Sequence, residues 1–228
     1  MKRLKTWEAM LKKMLWHQLG DIRDKKILDF GSGLGVTASH YAKYNQVLAI
    51  EPSEESVDAR WQDNAYEQIV GGIEDLRKLE TESFDVIFCH NVLEYASERE
   101  EIVREFYRLL KPGGMLSIVK HNRYGRVMQM AFLLNNFESV NNLLDGKDGM
   151  ASQFGVIRYY NDSDIVKWCD GLAVSKVYGI RTFWDLQQNQ EIQEDAAWQE
   201  KMLEIETRVS EIEEFKEIAF FHHLILWK

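Results

Sequence analysis

Residues 27–35 read Ile-Leu-Asp-Phe-Gly-Ser-Gly-Leu-Gly (ILDFGSGLG), an apolar run that changes abruptly into alternating glycines. The apolar part predicts a short buried strand over 27–30. Gly31, Gly33 and Gly35 predict a turn into a following helix, because glycine reaches positive φ without steric cost. Such a turn presents backbone N–H groups that a ligand can approach closely. The stretch therefore predicts a binding loop at the end of a buried strand.

Strands and helices alternate after this loop, and the alternation predicts the fold class. The predicted strands are 27–30, 46–50, 67–71, 84–89, 115–119, 172–180 and 218–227. The predicted helices are 6–19, 35–44, 54–62, 98–110, a short helix ending near Trp168, and 192–209. This alternation predicts an α/β protein whose parallel sheet is covered on both faces.

The alternation lapses between about 121 and 160, in helical pieces rich in Met, Phe, Leu and Asn. A segment of this length outside the alternation predicts a helical lid that contacts substrate, rather than a plain loop. An amphipathic helix is predicted within 1–20. We expect a single domain over 1–228 with these two additions.

Composition narrows the function classes. The chain has 228 residues, 45% hydrophobic and 29% charged, and no apolar stretch approaches the roughly 20 residues that span a bilayer. Its net charge of −9 gives no long-range attraction for nucleic acid, although local basic clusters remain. Cys89 and Cys169 form no metal-ligand or disulfide pattern, so we expect no metal site and a reducing, cytoplasmic location. The sequence carries no signal for an oligomeric state.

Two acidic residues frame the glycine turn. Glu51 ends the next predicted strand, and an acidic side chain there can accept both hydroxyls of a ribose. The dinucleotide fingerprint requires a third glycine where this chain has Val36. Asp29 would repel a pyrophosphate but could hold the ammonium of an amino-acid moiety. The loop therefore favours a nucleoside ligand other than a dinucleotide.

Four motifs together resemble the class I S-adenosylmethionine-dependent methyltransferases. They are the loop 29–35, Glu51-Pro52-Ser53, FDVIFCHNVLEYA at 84–96 and LLKPGGMLSIV at 109–119. The resemblance implies a methyltransferase with S-adenosylmethionine as its cofactor. It also implies a Rossmann-like, doubly wound, seven-stranded sheet that is mostly parallel, with its last strand antiparallel.

The resemblance implies a role for each matching position. The cofactor would be contacted by Asp29, Gly31, Ser32, Gly33, Glu51, Pro52, Ser53, Ile73, Glu74, Asp75 and His90. Asp29 and the glycines would face its methionine part, Glu51 its ribose, and His90 its sulfonium. Glu74 and Asp75 equally fit the acidic first turn of a helix, so both interpretations stay open.

A narrower resemblance extends beyond the cofactor motifs. The stretches at 88–96, 109–125, 135–140, 178–186 and 203–210 are similar to the bacterial tRNA 5-carboxymethoxyuridine methyltransferases, which esterify a modified wobble uridine. This resemblance implies tRNA as a partner and Arg181 as the group that holds an anionic substrate. The substrate mouth would be lined by Asn122, Arg123, Tyr124 and Arg126. Arg181 could instead form a salt bridge with Asp185 or Glu204.

The chemistry depends on the methyl acceptor. A carboxylate needs no base, whereas a hydroxyl does, and His90 or His121 could supply one. Either histidine could instead be structural. Alternation in the last strand predicts one core and one exposed residue for His222 and His223. Two other functions stay open: a methyltransferase for a small molecule, and a non-catalytic cofactor-binding module.

Overall fold

The computed structural model describes residues 4–151 and 155–228. Residues 1–3 of the predicted N-terminal segment and residues 152–154 of the predicted lid lie outside the described residues. The strands within the described ranges are β1 (Lys26–Phe30), β2 (Gln46–Glu51), β3 (Glu67–Val70), β4 (Phe84–His90), β5 (Leu110–His121), β6 (Gly149–Ala151), β7 (Gly155–Ile157), β8 (Ala173–Ile180) and β9 (Phe221–Trp227).

The helices lie between or beside these strands along the chain. They are α1 (Thr6–Leu19), α2 (Val36–Tyr41), α3 (Glu54–Asp58), α4 (Ile73–Leu76), α5 (Arg99–Leu109), α6 (Arg123–Phe132), α7 (Phe137–Leu144), α8 (Asp164–Trp168), α9 (Gln190–Glu194), α10 (Ala196–Val209) and α11 (Glu213–Lys216). A 3-10 turn spans Trp184–Leu186.

The main sheet has the predicted topology. In the described part of the chain it contains seven strands in the order β3-β2-β1-β4-β5-β9-β8. Strands β1 to β5 pair in parallel. The last strand, β9, is antiparallel to β5, because Gly113 N–H donates to Lys228 at 3.0 Å and Asn122 N–H donates to Phe220 at 3.0 Å. The Rossmann-like fold expected from the sequence is confirmed.

Contacts divide the described residues into two compact units. The strand unit comprises Asp21–Lys120, Tyr160–Lys176 and Leu224–Lys228. The helix unit comprises the described residues of Met1–Gly20, His121–Tyr159 and Val177–His223. The strand unit therefore holds β1 to β4 and most of β5, whereas the helix unit holds α1, α6, α7 and α9 to α11.

Parallel register aligns the carboxyl ends of the strands in the strand unit. Phe30 lies opposite Ile50 on one side and Cys89 on the other. Cys89 in turn lies opposite Ile118. The core of this unit includes the fully buried side chains of Leu28, Ile50, Ile87, Phe88, Phe106 and Ile118. The residues that follow β1, β2 and β4 therefore reach the same edge of the sheet.

The KPGG segment at 111–114, between the predicted helix 98–110 and the predicted strand 115–119, is not a separate connection. It lies inside β5, which begins at Leu110, and the register moves from Phe84 opposite Leu110 to Val86 opposite Met115. The extra residues form a bulge, a setting that tolerates the proline in a strand. Gly114 permits it, because an added Cβ would lie 2.8 Å from the carbonyl oxygen of Lys111.

The predicted helix 192–209 is interrupted. Asp195 is extended, with φ −69° and ψ 121°, and separates α9 from α10. Its Oδ1 accepts from the backbone N–H of Trp198 at 2.7 Å. An aspartate that caps the following helix competes with helix continuation, and this explains the break.

Two further expectations need correction. The segment after β5 contains the predicted helices α6 and α7 but also an antiparallel hairpin of β6 and β7. His222 and His223 are both buried, so the prediction that one of them is exposed is wrong. The reason is the position of β9 between two other strands, β5 and β8, in the interior of the sheet. His223 Nδ1 lies 2.8 Å from Oε1 of Gln18.

We predict that His223 makes stability depend on acid pH. Burial lowers the pKa of His223 from 6.5 to about 3. Below pH 6.5 His223 binds a proton in the unfolded chain but not in the folded chain. The free energy of unfolding therefore falls as the pH drops from 6.5 towards the pKa of the folded state. Between pH 7 and pH 5 this one group should lower the free energy of unfolding by about 2 kcal/mol.

Urea unfolding at both pH values checks this prediction. His223→Gln should remove that part of the pH dependence, whereas His17→Gln, at an exposed histidine of α1, should keep it. An identical pH dependence in His223→Gln and the unmodified chain would contradict the assignment.

Candidate active site

The loop after β1 is built from backbone hydrogen bonds and glycines. The N–H groups of Gly31 and Ser32 donate to the carbonyl oxygen of Ile50 at 2.8 and 3.2 Å. Gly31 and Gly33 have φ values of +73° and +54°, which other residues adopt only with strain. A Cβ on Gly31 would lie 2.2 Å from Cγ2 of Val92. Close packing therefore requires glycine at this first position of the loop.

Glu51 ties this loop to the next strand. Its buried carboxylate accepts from the backbone N–H of Gly33 at 2.8 Å through Oε2 and from that of Ser53 at 3.0 Å through Oε1. Ser53 Oγ in turn accepts from Ser56 N–H at 3.1 Å and caps α3. Each carboxylate oxygen keeps a second acceptor site, so Glu51 can hold the loop and still accept hydroxyl groups of a ligand.

Two local features fit a ligand above the loop. A Cβ on Gly33 would meet nothing within 4 Å, in contrast to Gly31. The hydroxyl of Ser32 is buried and has no hydrogen-bond partner among the described residues. Buried polar groups are normally satisfied, so a bound group is the expected partner for this hydroxyl. With Asp29 buried at the end of β1, the loop fits the amino-acid and ribose groups of S-adenosylmethionine.

The predicted cofactor residues Ile73, Glu74 and Asp75 begin α4. Asp75 accepts from the N–H of the glycine before the helix at 3.1 Å and pairs with Lys78 at 2.8 Å. The Lys78 ammonium, followed by that backbone N–H, holds the pKa of Asp75 below its usual value. Glu74 is exposed and pairs with Arg77 at 2.5 Å. Both acids thus serve the helix terminus, while their contact with the cofactor, and that of Ile73, stays a prediction.

His90 ends β4 at the same sheet edge as Glu51. Its Nε2 lies 2.9 Å from Oγ of Ser117, which is fully buried in β5. Its ring stacks on Phe88 with centroids 5.4 Å apart and an interplanar angle of 29°. These two contacts orient the imidazole at the position where the sequence predicts the sulfonium. The contact with the cofactor itself stays a prediction, as do those of Pro52 and Ser53.

The predicted substrate residues all lie in the helix unit, whereas the predicted cofactor residues all lie in the strand unit. Asn122 is buried and structural: its Oδ1 accepts from Tyr124 N–H at 3.2 Å and caps α6. Its Nδ2 donates to the carbonyl oxygens of Glu217 and Ala219 at 2.7 and 2.9 Å. Both amide hydrogens are thus used within the protein, whereas the Tyr124 side chain is 55% exposed.

The two arginines of α6 also make local contacts. Arg123 Nη1 donates to the carbonyl oxygens of Leu143 and Lys147 at 3.1 and 2.7 Å, at the end of α7. Arg126 Nη1 donates to Oε1 of Gln129 at 2.6 Å. Cations near a helix carboxyl end are stabilising, so Arg123 contributes to the packing of α6 with α7. A substrate contact of Arg123 or Arg126 stays a prediction.

Arg181 forms the salt bridge that the sequence left as one of two alternatives. Nε donates to Oδ2 of Asp185 at 3.1 Å and Nη2 donates to Oδ1, so the partner is Asp185 and not Glu204. The residue is buried and its backbone has φ +60°. Its guanidinium lies 5.0 to 5.4 Å from the ring centroids of Trp7, Phe220 and Phe221. These contacts fix the guanidinium in one position.

Glu206 supports the turn at 182–184, next to Arg181, and was not predicted as a functional residue. This fully buried carboxylate of α10 accepts from the N–H groups of Thr182, Phe183 and Trp184 at 2.8, 2.9 and 2.8 Å. Burial raises the pKa of Glu206, against the lowering effect of these N–H donors. One signal was available: Glu206 lies three residues before the buried Val209, on a helix face where apolar residues are expected.

Other chemistries receive no support from the described residues. Among residues 4–151 and 155–228, no group of three or more His, Cys, Asp or Glu could hold a metal ion. No helix in these ranges is long and apolar enough to cross a membrane. Burial, followed by the charges of Glu94 and Asp29, raises the pKa of Cys89 well above its usual value, so its thiol is a poor nucleophile.

We predict that Glu51→Gln weakens S-adenosylmethionine binding by roughly 10- to 100-fold, because hydrogen bonds to a charged acceptor are lost. The amide group also cannot accept from both Gly33 and Ser53. Isothermal titration with S-adenosylmethionine measures the effect. Glu55→Gln, at an exposed acid in α3, is the control and should bind like the unmodified chain. Equal affinity of the Glu51 and Glu55 variants would exclude Glu51 from the cofactor site.

Comparisons with known proteins find a family match that includes the glycine loop and Glu51. Residues 28–118 match the family model described as a methyltransferase domain (Methyltransf_11). The tRNA 5-carboxymethoxyuridine methyltransferase of Escherichia coli is 24% identical, over 92% of this chain and 85% of its own length. A ubiquinone biosynthesis O-methyltransferase of Neisseria meningitidis is 36% identical, over 42% of this chain and 44% of its own length.

A solved structure shows the same fold. The methyltransferase that forms a complex with the Haloferax volcanii Trm112 activator superposes with a TM-score of 0.62 at 15% identity, over 96% of this chain and 90% of that chain. The family match spans the strands that build the glycine loop and carry Glu51, where the local geometry fits the cofactor. The match at 28–118, the shared fold and the local geometry together support an S-adenosylmethionine-dependent methyltransferase.

Proposed function

We propose that this methyltransferase transfers the methyl group to an oxygen of a modified tRNA wobble uridine, most directly to a carboxylate. One observation carries the proposal: similarity to the E. coli tRNA 5-carboxymethoxyuridine methyltransferase extends over 92% of the chain. The similarity to the N. meningitidis ubiquinone biosynthesis enzyme covers only 42% of the chain. The near full-length match includes residues outside the methyltransferase domain model, where an acceptor would be selected. A cytoplasmic location follows from such a substrate.

The residues of the strand unit would position the cofactor. When bound, S-adenosylmethionine supplies a methyl group on a positively charged sulfur. Glu51 would accept the ribose hydroxyls, Asp29 would face the ammonium, and the Ser32 hydroxyl would gain the hydrogen bond that it lacks among the described residues. Such positioning is the main task of the protein, because transfer requires the nucleophile, methyl carbon and sulfur in line.

Arg181 would hold the acceptor carboxylate. Its Nε and Nη2 donate to Asp185, so an acceptor carboxylate would be bound through Nη1. Arg181 is only 6% exposed, so little water competes for its guanidinium. A charge-assisted hydrogen bond to carboxylate is strong and directional, which would orient the acceptor oxygen. The segment 121–160 would complete the acceptor site as the predicted lid.

The relatives from ubiquinone biosynthesis favour a second candidate, a small molecule with a hydroxyl group as acceptor. The net charge of −9 also suits this class better than nucleic acid. A hydroxyl must lose its proton during transfer, so this candidate needs a general base. His90 is the candidate base, since Ser117 and Phe88 hold its ring in a fixed orientation.

We predict that deletion of the gene removes a methyl ester from the wobble uridine of tRNA. Mass spectrometry of tRNA nucleosides from cells with and without the gene measures it. The unmodified gene should restore the ester, and Arg181→Lys should restore less than about a tenth, because lysine lacks the planar fork of donors. Purified protein with S-adenosylmethionine and tRNA from the deletion strain should reproduce the transfer.

S-adenosylmethionine binding by the Arg181→Lys protein is the control for folding, since the predicted cofactor residues lie in the strand unit. Glu204→Gln, at the exposed acid that Arg181 does not bind, is the matched neutral variant. An unchanged nucleoside profile after deletion would reject the tRNA proposal and leave the small-molecule acceptor.

We predict that His90→Gln separates the two acceptor classes. With a carboxylate acceptor, kcat should change by no more than about threefold, because no proton is removed. With a hydroxyl acceptor, kcat should fall by about 100-fold or more, as expected for loss of a general base. The kcat and its pH profile on the accepted substrate measure this difference, with His40→Gln, at an exposed histidine in α2, as the control.

A further inference from the structure

One aromatic side chain of α1 covers the guanidinium of Arg181. The ring centroid of Trp7 lies 5.1 Å from Cζ of Arg181, and both residues belong to the helix unit. The ring centroids of Phe220 and Phe221 lie 5.0 and 5.4 Å from the same carbon. Asp185 accepts from Nε and Nη2. Three rings and one carboxylate therefore surround Arg181, which is only 6% exposed.

The four groups around Arg181 differ in their exposure to solvent. Phe221 is 4% exposed, the Asp185 side chain is 17% exposed, and Phe220 is half-buried. Trp7 is 37% exposed, the largest value of the four. A ligand that approaches the guanidinium from solvent therefore meets the indole ring first.

The exposure of Trp7 is unusual for its position in α1. Trp7 precedes Met10 by three residues and Met14 by seven, so it lies on the packed face of the helix. Met10 and Met14 are 2% and 1% exposed. Near the other end of α1, Nε2 of Gln18 donates to the carbonyl oxygen of Gly179 at 3.2 Å and fixes the helix. The indole thus extends past the packed residues of its own face and lies over a charged group.

We propose that Trp7 is a specificity-determining residue of the acceptor site, where its indole stacks on a planar ring whose anionic group is held by Arg181. This inference rests on the proposed function of Arg181 and deepens it, because it names the acceptor class as an acid carried by a planar ring. The guanidinium binds the charged group through directional hydrogen bonds, and the indole offers a large flat surface to the ring. An aliphatic acid would make only the first of these contacts.

The test compares two acids of equal charge and equal number of carbon atoms, benzoate and cyclohexanecarboxylate. The full chain is saturated with S-adenosylhomocysteine and its seven tryptophans carry a fluorine label for NMR. The Trp7 signal is the one that disappears in Trp7→Phe. Benzoate should shift this signal and bind about threefold to tenfold more tightly than cyclohexanecarboxylate, because the puckered ring keeps the apolar area but cannot stack.

Four variants identify the contacts. Trp7→Leu should lower benzoate affinity by about tenfold and remove the preference for benzoate, whereas Trp7→Phe keeps a ring and should retain the preference. Arg181→Gln should weaken the binding of both acids by about tenfold or more, because the charge is lost. Trp227→Leu, at a comparably exposed tryptophan (43%) of the strand unit, is the matched control and should bind both acids like the unmodified chain.

The fluorine signals of the remaining tryptophans report whether each variant keeps its fold. On the methyl acceptor itself, Trp7→Leu should raise KM by about tenfold and change kcat by no more than about threefold, because a ring contact that is equal in ground state and transition state changes KM alone. The proposal is overturned by an unshifted Trp7 signal, or by a benzoate affinity that is the same in Trp7→Leu or Arg181→Gln as in the unmodified chain.

Failure of this proposal is distinguishable from failure of the proposed function. Loss of the wobble methyl ester on gene deletion, with benzoate binding that does not depend on Trp7, would leave the tRNA acceptor and reject the stacking role. Benzoate binding that depends on both Trp7 and Arg181, with tRNA nucleosides unchanged on deletion, would assign the site to another planar acid and reject the tRNA acceptor.

Discussion

The hydrogen bonds accepted by the Glu51 carboxylate are the interactions on which the proposed cofactor site depends. One buried side chain bonds the N–H of Gly33 in the first loop and the N–H of Ser53 in the second. It can do so because parallel pairing places Glu51 at the same level as the end of β1, with Phe30 opposite Ile50. A single carboxylate therefore supports the loop geometry, the N-terminus of α3 and the proposed ribose contacts. A carboxylate in this position organises the backbone before any ligand arrives, which lowers the entropy that binding must overcome.

A second carboxylate has the same role in the helix unit. Glu206 receives three consecutive backbone N–H groups from 182–184 and holds the turn that carries Arg181 and Asp185. Arg181 keeps a left-handed backbone conformation there, which costs free energy unless the surroundings compensate. The three N–H donors, the Asp185 pair and the aromatic rings supply that compensation. Strain maintained around a buried arginine is typical of a site that positions a charged group.

Much of the strand unit could be predicted from sequence, because its signals are local. The apolar run 27–30, the glycines that follow and the acid at the end of the next strand predict a loop whose chemistry depends on nearby residues. The bulge at 111–114 and the break at Asp195 were missed for different reasons. The bulge depends on strand pairing, and the break on one side chain that caps α10 instead of continuing α9. The hairpin of β6 and β7 is short, and no alternating pattern announces it.

The sequence by itself determined the fold class, the glycine loop and the identity of Glu51 as its acidic partner, since strand alternation and turn chemistry act over neighbouring residues. Only the tertiary structure decided that Arg181 pairs with Asp185, that Glu206 binds the turn before it, and that His222 and His223 are both buried. It also decided that α6 packs through Gly125 and leaves Tyr124 exposed. These outcomes depend on which distant segments meet, and residue spacing along the chain does not encode that packing directly.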